Sequence, residues 1–346
     1  MVLALNFKMK AGLKIGTLLL VCLMSMNAWG QLIPNFGGQR AGLSTLSFLK
    51  NDINPRSASM SGASVALNGD AFSIFSNPAA TTDNEGFNVA MSNYTIGAGI
   101  QQSFVSAVMP TKSKLSTIGL SVNTLNSGAM DVRTEFQPEG TGEKFYVSNL
   151  AIGASYAQKL SDMFSAGISL KYIHEQIDTY SNSTAAADVS FLYFTDYKDL
   201  KFAVMIQNFG GNSSINGDEL KTTFNRTGTL EPEKYSVPTV FSLGASIIPW
   251  KKEKQSLLVA AQLNHPNDNA ENYRIGLEYQ YLKLLYLRAG YKINVTGQRF
   301  PSFGFGIRKL FGAHPLFISY AANPTEFQGI LHTVGLSITI NNMERE

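Results

Sequence analysis

The residues with reactive side chains are few in this chain: four histidines, one cysteine and a scatter of single charges. His174, His265, His314 and His332 fall in separate stretches, with no carboxylate at metal-ligand spacing such as His-x-x-x-His. Cys22 lies in an N-terminal apolar run, so removal of that run leaves no disulfide, thiolate nucleophile or sulfur-bound metal. Gly304-Phe305-Gly306 has glycines at phosphate-loop spacing, but it sits in an alternating stretch with no helix after it. A Ser/His pair brought together from separate strands would leave no mark in the sequence, and no serine motif points to one. The expectation is a protein that is not an enzyme and needs no cofactor or metal. The chain has 28 basic and 25 acidic residues, and export would remove three lysines and no acid, so the mature chain is formally neutral. That balance gives no reason to expect a nucleic-acid partner.

The remaining charges have a consistent placement. From Phe164 to Tyr172 one face reads Phe164, Ala166, Ile168, Leu170, Tyr172, and the other reads Ser165, Gly167, Ser169, Lys171. From Tyr273 to Tyr281 an apolar row of Tyr273, Ile275, Leu277, Tyr279 and Tyr281 opposes Arg274, Gly276, Glu278 and Gln280. The next stretches set Arg288 and Lys292 opposite Leu287 and Tyr291, and Arg308 opposite Phe303, Phe305 and Ile307. Strict alternation is the strand signal, with one face for an apolar phase and one for water. Lys171, Arg274, Glu278, Arg288, Lys292 and Arg308 are therefore expected to face a lumen, paired with one another or with a plug.

The elements that place them follow from export and from the spacing of the alternating runs. Lys8, Lys10 and Lys14 precede an apolar run from Ile15 to Met26 and then Ala28-Trp29-Gly30, the three parts of a secretory signal. The run is short of the ~20 residues a spanning helix needs, and Val21 beside Cys22 argues against a lipoprotein signal. Residues 1–30 read as the signal peptide, with Gln31 as the mature start. No second long apolar stretch follows, so a membrane role requires strands. Candidate strands begin near Phe87, Gln102, Ser116, Val147, Phe164, Ala186, Leu200, Thr239, Gln255, Asn272, Leu284, Ser302, His314 and Leu331. This is an all-β chain: a transmembrane antiparallel β-barrel of about fourteen strands over residues 86–341, in contact with outer-membrane lipid. Short links at 110–115, 159–163, 195–199, 249–254, 282–283 and 309–313 alternate with mostly longer ones at 126–146, 178–185, 208–238, 264–271, 293–301 and 321–330. Such alternation is what periplasmic turns and extracellular loops produce, and it puts both ends of the barrel on the periplasmic side. A soluble sandwich or propeller would show the same period, but the opposite faces here are rich in Gly and Ser rather than Lys and Glu. Residues 31–85 do not alternate. A barrel this wide is not filled by its own side chains, so this segment is expected to plug it.

Within the plug, Pro55-Arg56-Ser57-Ala58-Ser59-Met60-Ser61-Gly62 is followed by Asp70-Ala71 and then by Asn77-Pro78-Ala79. This resembles the N-terminal signature of the PorV/PorQ family, itself similar to FadL-type outer-membrane transporters. Ser61 stands where a glycine is common, and Ala80-Thr81-Thr82 replaces the usual small pair after Asn-Pro-Ala. The resemblance implies a hatch inside a fourteen-stranded barrel, marked by Arg56, Gly62, Asp70, Asn77, Pro78 and Ala79. It further implies an accessory barrel of type IX protein secretion that binds secretion machinery and secreted cargo, with the 208–238 connection as the contact surface. The alternative it implies is a FadL-like channel that passes a hydrophobic ligand through a hatch-gated lateral opening, for which an apolar pocket beside Asn77–Ala79 would speak. A porin without dedicated substrate is a third option. The localisation expected is the bacterial outer membrane.

Overall fold

The computed structural model describes residues 44–67, 69–84, 86–217, 233–298, 300–312 and 314–340. The expected signal peptide, residues 31–43 of the expected plug and Asn225-Arg226 of the long connection lie outside them.

The barrel strands are β1 (Phe87–Gly97), β2 (Ile100–Pro110), β3 (Ser116–Asn126), β6 (Val147–Ser161), β7 (Phe164–Ile177), β8 (Tyr180–Phe194), β9 (Lys201–Gly210), β10 (Val240–Lys252), β11 (Gln255–Pro266), β12 (Asn272–Tyr281), β13 (Leu285–Ile293), β14 (Ser302–Phe311), β15 (His314–Pro324) and β16 (Ile330–Ile340). Two-residue strands β4 (Met130–Asp131) and β5 (Lys144–Phe145) form a separate ribbon in the link between β3 and β6. Every barrel strand pairs antiparallel with its neighbours, and β1 pairs with β16 to close the ring of fourteen. Closure removes the unpaired edges that an open sheet would leave.

The faces divide as the alternation requires. Ile168, Leu170, Tyr172, Ile275, Leu277, Leu287, Phe303, Phe305 and Val334 are exposed on the outside, while Ser165, Ser169, Glu278, Arg288 and Thr333 are buried on the inside. A continuous outer belt of exposed aliphatic and aromatic side chains is too large for a surface in water and suits the hydrocarbon of a bilayer.

The short links expected at 159–163, 249–254 and 309–313 are tighter than read, since β6, β10 and β14 run on to Ser161, Lys252 and Phe311, and one long connection differs more. Residues 178–185 are not a loop: β8 begins at Tyr180, and Ser181, Asn182, Ser183 and Thr184 pair with β7 residues Gln176, Glu175, His174 and Ile173. Strands β6, β7 and β8 run 15, 14 and 15 residues. At ~3.4 Å per residue and a tilt near 40°, 15 residues rise about 40 Å, well past an apolar band of ~25 Å. The upper part of this hairpin therefore stands in water. Both its faces are polar, and the alternation that marks a strand fades there.

The segment from 44 to 84 lies inside the ring. It is built from a 3-10 turn (Ser47–Lys50), a short helix (Pro55–Ser59), a helical turn (Ser73–Ser76) and a second 3-10 turn (Pro78–Asp83). Its apolar residues supply most of the core. Leu46, Phe48 and Leu49 pack with Ala151 and Ile173, Ile53, Phe72 and Ile74 with Phe104 and Val108, and Val65, Ala79 and Ala80 with Leu192 and Met205. Glycines on the inner wall make room for it. A Cβ at Gly290 would overlap the backbone of Met60, and one at Gly276 or Gly304 would run into the side chain of Met60 or Ser59. Gly290→Val is expected to destabilise the folded barrel by about 1–3 kcal/mol through overpacking, read as a lower temperature for loss of the compact electrophoretic form. Gly211→Val, where a Cβ meets nothing within 4 Å, should leave that temperature unchanged.

Candidate functional site

The luminal segment is held by polar contacts at three levels. Near the long-loop end, Lys50 Nζ lies 2.5 Å from Asp268 Oδ2, which also accepts from the Ser44 hydroxyl. Asn51 Nδ2 donates to Gln102 Oε1 at 2.7 Å.

In the middle sits Asn77-Pro78-Ala79. Asn77 is fully buried; its Oδ1 accepts from the Ala79 N–H at 3.0 Å and its Nδ2 donates to Val65 O at 2.6 Å. One side chain thus caps the Pro78–Asp83 turn and fastens it to the preceding stretch, with Pro78 at the first helical position, where no donor is needed. Ala79 N also donates to Ser190 Oγ of β8 at 3.0 Å, and Gly167 of β7 leaves space for the Pro78–Ala79 backbone. Asn77→Ala should cost about 1–2 kcal/mol of local stability, seen as faster hydrogen exchange in residues 63–84 with little change in the barrel strands.

Toward the short-turn end, Glu278 of β12 is clasped by two arginines. Arg56 donates from Nε to Oε2 at 2.9 Å and from Nη2 to Oε1 at 2.7 Å, while Arg288 of β13 donates from Nε to Oε2 at 2.6 Å. The guanidinium of Arg288, wholly buried, also stands over the rings of Tyr286 and Phe317 at 5.6 and 5.7 Å. Glu278 and Arg288 face each other across β12 and β13, and Arg56 makes the pair a bridge between wall and segment. Asp70 accepts from the Phe72 N–H at 3.0 Å and from Ser337 Oγ at 3.3 Å. Burial raises the Asp70 carboxyl above the usual aspartate range, against the pull of nearby Arg56. A raised folded value means that its contribution is fully present below the ordinary aspartate range and fades as pH rises through the raised value. Asp70→Asn is accordingly expected to be tolerated within about 1 kcal/mol, measured by thermal unfolding at neutral pH.

The other expected lumen charges have different surroundings. Lys171 pairs not with the segment but with Asp188 of β8 at 2.7 Å, and it also donates to Asn208. Arg274 Nε donates to Asn272 Oδ1 at 2.9 Å and its guanidinium fills the space that a Cβ at Gly62 would need. Gly62 has φ +81 and follows Ser61 at φ 56, so the segment turns sharply there through left-handed backbone. Lys292 lies in the electrostatic neighbourhood of Asp52 and Arg274. Arg308 lines a cavity of about 370 Å³ beside the Glu278 cluster, with Asp70, Tyr286 and Phe317. The residues missed by sequence reading are Asp188, Asp268, Ser190 and Gln262, whose Oε1 accepts from the Ser64 and Val65 N–H groups at 2.9 Å. Asp188 carried a signal, as a lone acid on the inward row Ala186, Asp188, Ser190 of an alternating stretch. The histidines are apart: His174 pairs with Ser183, His265 with Glu271 and His332 with Tyr320.

One place in the wall is thin. The β13–β14 ladder ends at Gly290↔Ser302, although β12 pairs with β13 up to Ile293. On the other side β14 pairs with β15 only up to Ala322, while β15 pairs with β16 to Pro324. Among the described residues this leaves a notch above Ser302, between Tyr291–Ile293 and Asn323. From inside, Ser61 Oγ closes on Ser302 Oγ at 2.9 Å.

No protein-family model matches the sequence, and no curated protein is similar to it. Solved structures are. The toluene transporter TodX of Pseudomonas putida superposes with a TM-score of 0.53 at 12% identity, over 82% of this chain and 96% of that one. The toluene transporter TbuX of Ralstonia pickettii gives 0.52 at 12% over 82% and 96%, and the CymD monoaromatic hydrocarbon channel 0.52 at 13% over 83% and 96%. The chain shares their fold. With its closed ring and apolar outer belt it is an outer-membrane β-barrel. The FadL-like architecture implied by the sequence resemblance agrees with this fold, and the PorV/PorQ branch draws no support from these comparisons.

Proposed function

We propose that this barrel passes small hydrophobic molecules across the outer membrane, with the luminal segment as a hatch and with no enzymatic step. The observation that carries the reading is the notch above Ser302, where among the described residues the ladders of β14 stop short of those of its neighbours and Ser61 of the segment meets Ser302 from within. A molecule dissolved in the bilayer would meet the barrel there without crossing a polar vestibule. The shared fold with hydrocarbon transporters and channels supports the same reading. The test is uptake of radiolabelled toluene by cells that carry the barrel in their outer membrane, against cells with the empty vector. Uptake that rises with barrel abundance is the expected result, and equal uptake would overturn the proposal.

A second reading has an observation in its favour. The space beside Asn77–Ala79, where an apolar ligand pocket would speak for transport, is taken up by Gly167, Ser190 and Thr117 of the wall. A packed lumen suits the accessory barrel of type IX secretion, whose work would be done by loops such as 208–238. Co-purification of secretion components or exported proteins from native membranes, with no toluene uptake, would favour it.

A further inference from the structure

The two ends of the barrel carry opposite charge. Among the described residues, the connections at the long-loop end hold nine acidic and three basic residues. At the short-turn end, segments 195–200, 251–254, 282–284 and 309–311 hold six basic and three acidic residues. These four segments are far apart in sequence and continuous in space. Ile248 N donates to Lys198 O at 2.9 Å, Leu282 N to Lys254 O at 2.6 Å and Arg308 N to Leu284 O at 2.8 Å, which joins them into one arc of the rim.

Three lysines of this arc lie over aromatic rings. Lys198 stands 5.5 Å from the Tyr197 ring centre, Lys252 5.6 Å from Trp250 and Lys309 5.3 Å from Phe311. Two of them continue the lipid-facing rows. Lys309 follows Phe303, Phe305 and Ile307 on the outer face of β14, and Lys252 follows Trp250, which stacks on outward-facing Tyr279 at 6.4 Å. Tyr197, Leu282, Leu284, Leu310 and Phe311 are exposed at the same level. Aromatic rings at the edge of an apolar belt mark the headgroup depth of a bilayer, and a lysine there extends its stem along apolar surface and presents its ammonium to the headgroups. A soluble acidic protein would need the lysines clear of the membrane edge, on the turn tips alone.

We propose that this arc is a binding surface for anionic phospholipids of the periplasm-facing leaflet. The ammonium groups of Lys252 and Lys309, with Lys254 and Lys283 of the intervening turns, contact headgroup phosphates, and the paired rings pack on the upper acyl chains. The surface is separate from the lumen and does not depend on what passes through it.

The test uses the folded full-length mature barrel in mixed micelles with equal amounts of phosphatidylglycerol and phosphatidylcholine, with retained lipid counted by native mass spectrometry. Wild type is expected to retain phosphatidylglycerol about fivefold over phosphatidylcholine, with the preference weakened by salt. A variant with Lys252→Gln, Lys254→Gln, Lys283→Gln and Lys309→Gln, verified as folded by its compact electrophoretic form, should fall to less than about twofold. A second variant with Lys112→Gln and Lys114→Gln, on the opposite side of the rim, should keep the wild-type preference. Equal retention of the two lipids by wild type, or an unchanged preference in the fourfold variant, would overturn the proposal. So would capture of soluble polyglutamate by wild type with no lipid preference.

Discussion

Replacing Glu278 by leucine is expected to destabilise the docked luminal segment by about 3–5 kcal/mol, the range for breaking a buried ion pair by removing one partner. The cost arises less from lost attraction than from what remains. Arg288 is wholly buried and Arg56 largely so, and without the carboxylate two guanidinium groups would face each other inside the lumen. The same argument gives a rescue. With Arg56→Met and Arg288→Leu added to Glu278→Leu, none of the three clasped charges is left to solvate, and replacement of a buried ionic group by apolar side chains is commonly neutral or stabilising by about 1–4 kcal/mol. The single variant should release the segment toward the periplasm, with rapid cleavage by added protease between residues 44 and 84 and a rise in single-channel conductance. The triple variant should resist the protease as wild type does. Protease resistance in the single variant would mean that the apolar packing around Phe72, Phe104 and Val65 holds the segment by itself.

How much of this was legible in the sequence depends on whether a residue belongs to a periodic element. The Glu278–Arg288 pair was accessible, because alternation puts both on the inner face of consecutive strands joined by a short turn. Its third member was not. Arg56 lies in a stretch of short helices and turns with no period, so nothing local says which wall residue it meets, and its contact with Glu278 spans 222 positions of sequence. The same limit hid Asp268 as the partner of Lys50. The β8 start was misplaced for a different reason: alternation reports a contrast between apolar and polar faces, and Ser181 to Thr184 are polar on both, the exposed Ser183 as well as the buried Asn182. Lys171 pairs with Asp188 of the neighbouring strand, a lone acid in its own alternating row that the reading of single strands passed over. The basic arc was equally hidden, since each turn contributes only one to three lysines and only the lateral pairing of β8 through β15 makes them neighbours.

The sharpest test of a mobile segment makes use of the fact that the single cysteine of the sequence, Cys22, lies in the expected signal peptide. Ser61→Cys with Ser302→Cys places two thiols where two hydroxyls now meet at 2.9 Å, both buried and beyond the reach of other thiols, so that only one disulfide can form. If hydrophobic molecules enter through the notch while the Ser61–Gly62 apex withdraws, oxidation of this pair should reduce toluene uptake to the vector background, and a reductant should restore it. The bond would close a loop of roughly 240 residues, large enough to add about 5–6 kcal/mol to stability in the chain-entropy view, so a rise in unfolding temperature on oxidation reports that the bond has formed. Loss of uptake with that rise, reversed by reduction, means that passage requires the apex to leave Ser302. Full uptake with the same rise means that the notch is not the route. The left-handed backbone at Ser61 and Gly62 makes the apex the natural point of movement, because a sharp turn closed over an incomplete wall can shift without breaking the ladder of any strand.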